Sequence, residues 1–404
     1  MSGAPALSVD AADLDVEALL LTFRRSLDEV HRSWRPTLLR ISRRLLKSIL
    51  GRSPTVEDRA SVAFLILPGL VAEVHRSKKV PAGHLLHGLA SLVDTLDSDL
   101  AFANSIVGEA VRLAPYVRAQ REAVAQSGGT VDGSGRADAT VRRIESLVRG
   151  KKLGPAMRQL DLLQDIVNGE GNRAAVLSIP EFRDILSAMS VEANEMDRFT
   201  EEQLQSVERS SAVQISEATM LEVLKRLPLG SASGVSGWTF AAITAVFLSD
   251  EAEVGAAVTL LAAFANSLLG GRLAAPYWLF TRGVLIGKGD GSYRMLGIGE
   301  TWLRVAERAA MKAVGPSVGG QLAPLQFGVG IPSGCEIAGR SGQLVQGAAR
   351  EENLVGISVD LKRAFDFLRL GLQLQGLADY APTLLKWFTW AYARPSPIFT
   401  TGNG

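Results

Sequence analysis

One carboxylate in this sequence stands in a setting that is typical of metal-assisted chemistry. Residues 355–361 (VGISVDL) alternate β-branched with small residues, which predicts a buried strand, and Asp360 lies near its C-terminal end. Ligands of α/β sheets bind at the carboxyl ends of strands, and a carboxylate there suits Mg²⁺, a hard cation that prefers oxygen ligands. Asp366 adds a second acid six residues later, just after the aromatic Phe365. The alternative for Asp360 is an aspartate that caps the N-terminus of a helix.

Two cations flank a glycine-rich turn earlier in the sequence. Segments 279–286 and 294–298 are predicted to pair as the strands of a hairpin, with an Asp-Gly turn signal between them. Lys288 and Arg294 would then lie at its tip. Lysine supplies a point charge and arginine a bidentate fork, so such a tip could close over a triphosphate. The alternative is an ordinary surface hairpin that carries basic residues.

A cationic helix face is predicted near the start of the chain. The helix that begins near Pro36 carries basic residues at i, i+3, i+4 and i+7: Arg40, Arg43, Arg44 and Lys47. This face could lie along the phosphates of a nucleic acid. It could equally be a solvated face that acidic residues elsewhere in the fold balance. The sequence leaves both interpretations open.

Other patterns give weaker signals. The loop at 229–238 (LGSASGVSGW) lacks the Lys-Ser/Thr of a P-loop, and the segment at 296–302 (LGIGETW) has tryptophan where a dinucleotide fingerprint needs its third glycine. His84 and His87 have helical metal-ligand spacing, but without nearby acids or cysteines they are predicted to be structural. The single cysteine, Cys335, excludes a disulfide framework and a cysteine-based zinc site.

The elements that must position these residues differ between the two halves of the chain. The first two hundred residues are predicted to be mostly helical, with a glycine- and serine-rich linker at 127–134. Residues 201–227 are predicted to add one or two helices. After Pro228, glycine loops and strands alternate with helices, and the second half holds 26 of the 40 glycines. The sequence therefore predicts an α-rich N-terminal region followed by an α+β region.

Composition sets limits on the class of protein. The 404 residues include 43 basic and 42 acidic side chains and are 47% hydrophobic, which rules out wholesale disorder and a protein that is basic throughout. The uncharged stretch at 254–271 is rich in small residues and is predicted to be a buried helix rather than a membrane span. No secretory signal is visible at the N-terminus, so we expect an intracellular protein.

Four segments, taken together, resemble the reverse transcriptase of non-LTR (LINE-type) retrotransposons. They are Leu229–Trp238 with the helix after it, Val284–Ile298, Gln326–Ala338 (QFGVGIPSGCEIA) and Ile357–Asp366 (ISVDLKRAFD). They follow the family's order at plausible spacing, which is more specific than any one of them. The resemblance implies an incomplete right-hand polymerase fold: a helical N-terminal region (1–126), a linker (127–138), a helical upstream region (139–227), then α+β fingers and partial palm (228–404).

The resemblance also assigns roles to single residues. It implies that Asp360 is the first metal-binding catalytic aspartate, holding Mg²⁺, and that Phe365 screens the sugar 2′ position of the incoming nucleotide. Lys288 and Arg294 would meet the triphosphate. The implied activity is RNA-directed DNA polymerisation by two-metal nucleotidyl transfer. Its partners would be an RNA template, a DNA primer and a dNTP, with no membrane, and the family would imply a nuclear location.

Gln326 and Gly328 match the segment that lines the template side, but the sequence departs from the family elsewhere. Two-metal transfer needs carboxylates from more than one element, and the family supplies an aspartate pair on a later hairpin. Here Asp379 is the only acid after Asp366, and no Asp-Asp dipeptide occurs. We therefore expect an N-terminal portion, truncated before the aspartate pair and inactive alone. The alternative is a non-catalytic nucleic-acid-binding helical protein that works through its cationic helix.

Overall fold

The computed structural model shows a mostly helical chain that divides into two compact units. Unit 1 is drawn from residues 1–110, 191–280 and 299–397, and unit 2 from residues 111–190, 281–298 and 398–404. The residues that the structure describes are 15–23, 26–27, 30–51, 53–77, 82–126, 199–287, 293–323, 326–328, 331–351, 369–393 and 396–400. The predicted linker and most of the predicted upstream region lie outside them. Unit 1 combines helices from both sides of the predicted boundary at residue 228.

The N-terminal helices build the first half of unit 1. They are α1 (Val16–Thr22), α2 (Arg35–Leu50), α3 (Pro54–Ser77), α4 (Ala82–Thr95) and the first part of α5 (Asp99–Gln126). Pro36 lies in the first turn of α2, where its missing N–H costs no hydrogen bond. The apolar face predicted for this helix is confirmed, because Leu38, Ile41 and Leu45 are fully buried. This face packs on α3 and α4.

A second group of helices completes unit 1. They are α6 (Glu201–Arg209), α7 (Glu217–Lys225), α8 (Phe240–Phe247), α9 (Glu251–Leu269), α10 (Thr301–Leu322), α11 (Gly334–Glu351), α12 (Leu370–Tyr380) and α13 (Leu385–Tyr392). The starts of the first four are set locally, since Thr200, Ser216, Thr239 and Asp250 each accept a hydrogen bond from the first turn of the helix that follows. The two helices predicted within 201–227 are thus confirmed.

Aromatic side chains fill the centre of unit 1. The Phe64 ring lies 5.5 Å from Trp238 and 5.2 Å from Trp302, measured between centroids, and each of these three side chains is at most 1% exposed. Helix α9 packs beside them and buries eight apolar residues. By length and composition alone α9 could cross a membrane, and 44% of its most apolar window is buried within the protein. A core helix of a soluble protein passes the same test.

Unit 2 contains a small three-stranded sheet in the order β2-β1-β3. The strands are β1 (Thr281–Gly287), β2 (Tyr293–Gly299, whose last residue belongs to unit 1) and β3 (Ile398–Thr400). Only five residues join β1 to β2, a connection that suits a hairpin and is too short for a parallel crossover. The predicted pairing of these two strands is therefore confirmed. On its other side β1 pairs parallel with β3, with Thr281 opposite Ile398.

Candidate functional site

The glycine loop at residues 229–238 forms a buried junction within unit 1. Its second half is buried, and the Ser236 backbone N–H and hydroxyl donate to the two carboxylate oxygens of Glu300, at 3.1 and 2.7 Å. On its other side the loop accepts a bond from the Leu27 N–H at the Gly237 carbonyl, 3.0 Å long. The polar groups in the second half of the loop therefore bond to the interior of the protein, in keeping with the absence of a P-loop lysine.

Gly234 occupies the tightest point of this junction. Its N–H donates to the Thr301 hydroxyl at 2.9 Å, and that hydroxyl donates to the Trp238 carbonyl at 2.6 Å. A Cβ at position 234 would lie 2.7 Å from Cα of Glu300 and 2.9 Å from both its Oε2 and the Gly299 carbonyl oxygen. Only glycine fits without displacing backbone. Hydrogen bonds thereby join the first of the four resembling segments to Glu300 and Thr301, at the start of α10.

Glu300 is a buried carboxylate with a structural setting. Only 1% of the residue is exposed, and this burial raises the pKa of its carboxyl group. Hydrogen bonds from Ser236 and from the backbone of Trp302 and Thr301 act in the opposite direction. The residue also immediately precedes α10, where the helix dipole favours a negative charge. These contacts make Glu300 an anchor between the loop and the helix.

The third segment brings its two predicted template residues into one turn. The Gly328 N–H donates to the side-chain oxygen of Gln326, and the backbone N–H of Gln326 donates to the Leu322 carbonyl at 3.1 Å. A Cβ at Gly334, the first residue of α11, would collide with the Phe327 carbonyl group. The described residues of this segment, 326–328 and 331–338, are therefore closely packed against one another, and Gly328 is exposed.

The remaining residues of the predicted polymerase site fall largely outside the described part of the chain. Asp360, Phe365 and Lys288 lie outside the described residues, and Arg294 lies in β2 with only its backbone described. Among the residues that are described, no group of three or more His, Cys, Asp or Glu could hold a metal ion. The described residues thus supply no ligand set for Mg²⁺, and the magnesium prediction depends on Asp360.

The predicted nucleic-acid-binding face of α2 is described in full. Three of its four cations each have an acidic partner within unit 1: Arg40 with Asp94, Arg43 with Glu253, and Arg44 with Asp99 at 3.1 Å. The partners belong to α4, α9 and α5, so the pairs tie three helices to α2. This is the arrangement that the alternative interpretation, a face balanced by acids elsewhere in the fold, expects.

Arg44 makes the most contacts of the four. Its guanidinium donates to the carbonyls of Val93 at 2.6 Å and Leu96 at 2.5 Å, which belong to the C-terminal end of α4 and the residue just beyond it. It also lies over the Phe102 ring at 4.6 Å. Lys47, by contrast, is exposed. Arg44 therefore serves as a cap and a cross-link, while Lys47 remains accessible to a ligand.

A second charged site, which the sequence patterns did not single out, lies between α7 and α10. It is an open groove of about 660 Å³ within unit 1. The charged residues that line it are Glu222, Arg226, Arg304, Glu307, Arg308 and Lys312. The signal that could have revealed it is the spacing of Arg304, Arg308 and Lys312, which recur every four residues and so share one face of α10.

Two arginines of this groove share one aromatic ring. The guanidinium carbon of Arg304 lies 4.8 Å from the Phe240 centroid, and that of Arg308 lies 5.6 Å from it. Arg304 also donates to the Ala232 carbonyl at 2.8 Å. Burial and the neighbouring Arg308 lower the pKa of Arg304, although an arginine stays charged at any physiological pH. The ring thus holds two positive charges side by side.

The two acids of the groove behave differently. Glu222 accepts from Lys312 at 2.9 Å and Arg226 at 3.0 Å, and the hydrogen bond from Lys312 is the main cause that lowers the pKa of Glu222. Burial raises the pKa of Glu307 to about 7, although Arg304 opposes the shift. Burial and the charge of Glu307 also raise the pKa of Tyr392. Glu307 therefore titrates near neutral pH.

Comparison with known proteins does not identify this chain. It matches no protein-family model, no curated protein and no solved structure. The functional interpretation therefore depends on the order of the four sequence segments and on the contacts described above. Of these contacts, the junction at Gly234 and Glu300 and the groove at Arg304 and Arg308 carry the most information.

Proposed function

We propose that this chain is a reverse-transcriptase-like protein of the non-LTR retrotransposon type, comprising upstream helices, fingers and the first part of a palm. The observation that carries the proposal is the order of the four segments, together with the junction between the glycine loop and the start of α10. The resemblance assigns both the loop and α10 to the fingers and partial palm (228–404). Hydrogen bonds from Ser236 to Glu300 and from Gly234 to Thr301 join the loop to the start of α10, which supports this assignment.

The proposal gives the remaining residues defined tasks. Lys288 and Arg294, on the hairpin, would bind the triphosphate of the incoming nucleotide, and Phe365 would screen its sugar. Gln326 and Gly328 would border the template. Mg²⁺ held at Asp360 would neutralise charge that develops on the phosphates.

We propose further that this chain alone does not polymerise. Two metal ions about 3.5–4 Å apart need carboxylates from more than one element, and the sequence after Asp366 offers only Asp379. A primer-extension assay on poly(rA)/oligo(dT) with Mg²⁺ tests this, and we expect no incorporation. Incorporation that the substitution Asp360→Ala abolishes would refute the claim of inactivity while supporting the polymerase assignment. Incorporation that survives Asp360→Ala would indicate a contaminating enzyme.

The second candidate is a non-catalytic nucleic-acid-binding helical protein that works through α2. Exposed Lys47 favours it, while the ion pairs of Arg40, Arg43 and Arg44 reduce the charge available to a ligand. Binding that weakens steeply with added salt and on replacement of these arginines by alanine would support this function. No binding at low salt would refute it.

A further inference from the structure

The groove between α7 and α10 contains positively charged side chains that, among the residues that the structure describes, form no ion pair with the acidic residues of the groove. All ion pairs that the described part of the chain forms within the groove go to Glu222, from Lys312 and Arg226. Arg304 and Arg308 instead lie over Phe240, with Arg304 also bonded to a carbonyl. The lining therefore presents four cations against two acids around an open space of about 660 Å³. Such a surface favours an anionic ligand.

We propose that the α7–α10 groove binds phosphate groups through Arg304 and Arg308, and that a charged Glu307 weakens this binding. Guanidinium groups are always charged and offer planar forks that match phosphate oxygens. The shared Phe240 ring orients both forks before any ligand arrives, so that little side-chain freedom is lost on binding. Two oriented guanidinium groups in one open groove therefore favour phosphate over other anionic groups.

The spacing of the cations favours a ligand with more than one phosphate. Arg304, Arg308 and Lys312 follow one another at intervals of four residues, which is about 6 Å along α10. This is comparable to the separation of successive phosphates along an extended nucleic-acid strand. A polyphosphate and a strand backbone share this chemistry, and a competition experiment separates the two sources.

Glu307 gives the groove a dependence on pH. The charged groups that line the groove beside it are Arg304, Arg308 and Lys312 on its own helix and Glu222 and Arg226 from α7. From α13, Tyr392 interacts electrostatically with Glu307, whose charge raises the pKa of Tyr392. Helix α9, which also packs against α10, buries only apolar residues, and Tyr277 of the neighbouring 3₁₀ helix (Pro276–Leu279) interacts with Asp58 and Arg59.

The direction of this dependence follows from the sign of the charge. Because the pKa of Glu307 is about 7, the carboxyl group is mostly neutral near pH 6 and mostly charged near pH 8. A neutral Glu307 leaves the net charge of the groove more positive by one. Phosphate binding is therefore strongest below pH 7 and weakens as the pH rises through 7.

The experiment measures binding to the full chain by fluorescence anisotropy. The probes are a labelled oligo(dT) and, as a competitor, inorganic tripolyphosphate. The wild type should bind about three- to tenfold more tightly near pH 6 than near pH 8, which is the effect of one charge in an open groove. Glu307→Gln should bind at either pH as the wild type does near pH 6. This variant separates the effect of Glu307 from that of every other titratable group.

Arg308→Ala tests the cationic partner. It should weaken binding of both probes and lower the salt dependence for oligo(dT) by about 0.7 in the log–log slope, the effect of one lost phosphate contact. The matched control is Arg209→Ala, which removes an exposed arginine of α6 outside the groove. Thermal melting of each variant verifies that it is folded, and the conservative variant Arg308→Lys should recover part of the binding if Arg308→Ala unfolds.

Three results would overturn the inference. They are a wild-type pH dependence in Glu307→Gln, equal binding by Arg308→Ala and Arg209→Ala, and competition by poly-glutamate as effective as that by tripolyphosphate. Binding of oligo(dT) without displacement by tripolyphosphate would assign the groove to a strand backbone, and efficient displacement would assign it to phosphate from either source. The inference goes beyond the proposed polymerase function and does not require it, because no readout involves primer extension.

Discussion

Replacing Gly234 by alanine tests whether the junction at Glu300 holds unit 1 together. A Cβ at this position would lie 2.7 Å from Cα of Glu300, whereas carbon atoms normally approach to about 3.5–4.0 Å. The obstacle is backbone, so no flexible side chain can rotate away from the new methyl group. Gly230, in the same loop, is the matched control because nothing lies within 4 Å of its Cβ position.

The loss of unfolding free energy in Gly234→Ala can be worked out from the packing and the hydrogen bonds that the new methyl group would disturb. Overpacking in a tight core costs about 1–3 kcal/mol of unfolding free energy. Separating the loop from Glu300 would also weaken the two Ser236 bonds to a buried carboxylate, and bonds of this kind contribute about 1.5–3 kcal/mol each. We therefore expect Gly234→Ala to destabilise the protein by about 3–5 kcal/mol. Gly230→Ala should be neutral or stabilise by up to about 1 kcal/mol, because alanine restricts the unfolded chain.

Urea denaturation followed by tryptophan fluorescence measures both variants. Trp238 and Trp302 are buried next to the junction and report directly on its loss. The midpoint should fall sharply for Gly234→Ala, and its emission should shift to longer wavelength at lower urea concentration. Free energies of unfolding for the two variants that agree within about 0.5 kcal/mol, the range of an ordinary surface substitution, would refute the close packing.

Two further predictions concern charge. Glu307→Gln should leave stability unchanged near pH 4 and raise it by up to about 3 kcal/mol near pH 8, since each pH unit between 4.5 and about 7 is worth about 1.4 kcal/mol. The folded protein holds a proton up to about pH 7 that the unfolded chain loses near pH 4.5, so wild-type stability falls as the pH rises through this window, and thermal melts across it measure the difference. Arg44→Ala should cost about 2–4 kcal/mol, since it removes an ion pair and several bonds to carbonyls. Arg40→Ala, on the same face but 48% exposed, should cost under about 1 kcal/mol in the same urea titration, and equal costs would contradict this account.

Much of the fold could be predicted from local sequence signals. Helix α2 follows from the helical spacing of Leu38, Ile41 and Leu45, which are buried, and β1 and β2 follow from two strand-like segments on either side of an Asp-Gly turn signal in the sequence. The parallel pairing of β1 with β3 could not be predicted in the same way. It joins Thr281 to Ile398, and no local pattern specifies a partner more than one hundred residues away.

In the candidate sites, too, the sequence shows which charged residues are present, while their partners become visible only in the fold. The cationic face of α2 is visible in the sequence, yet its role depends on partners such as Asp94 and Glu253, which only folding brings to it. The pKa of Glu307 is likewise invisible in the sequence, because it depends on how much water α7 and α10 exclude. The importance of Gly234 also emerges only from its approach to Glu300.

The sequence by itself determined that α2 begins near Pro36, which of its faces is apolar and which carries its four cations, and the order of four segments whose resemblance to a reverse transcriptase stays a prediction. Backbone hydrogen bonding and side-chain periodicity act over a few residues, so these features are local. Only the tertiary structure decided that the glycine loop is an anchor, that three arginines of α2 are paired, and that two arginines of α10 share one ring. Packing, charge pairing and loss of water depend on residues far apart in the chain, and the fold alone brings those residues together.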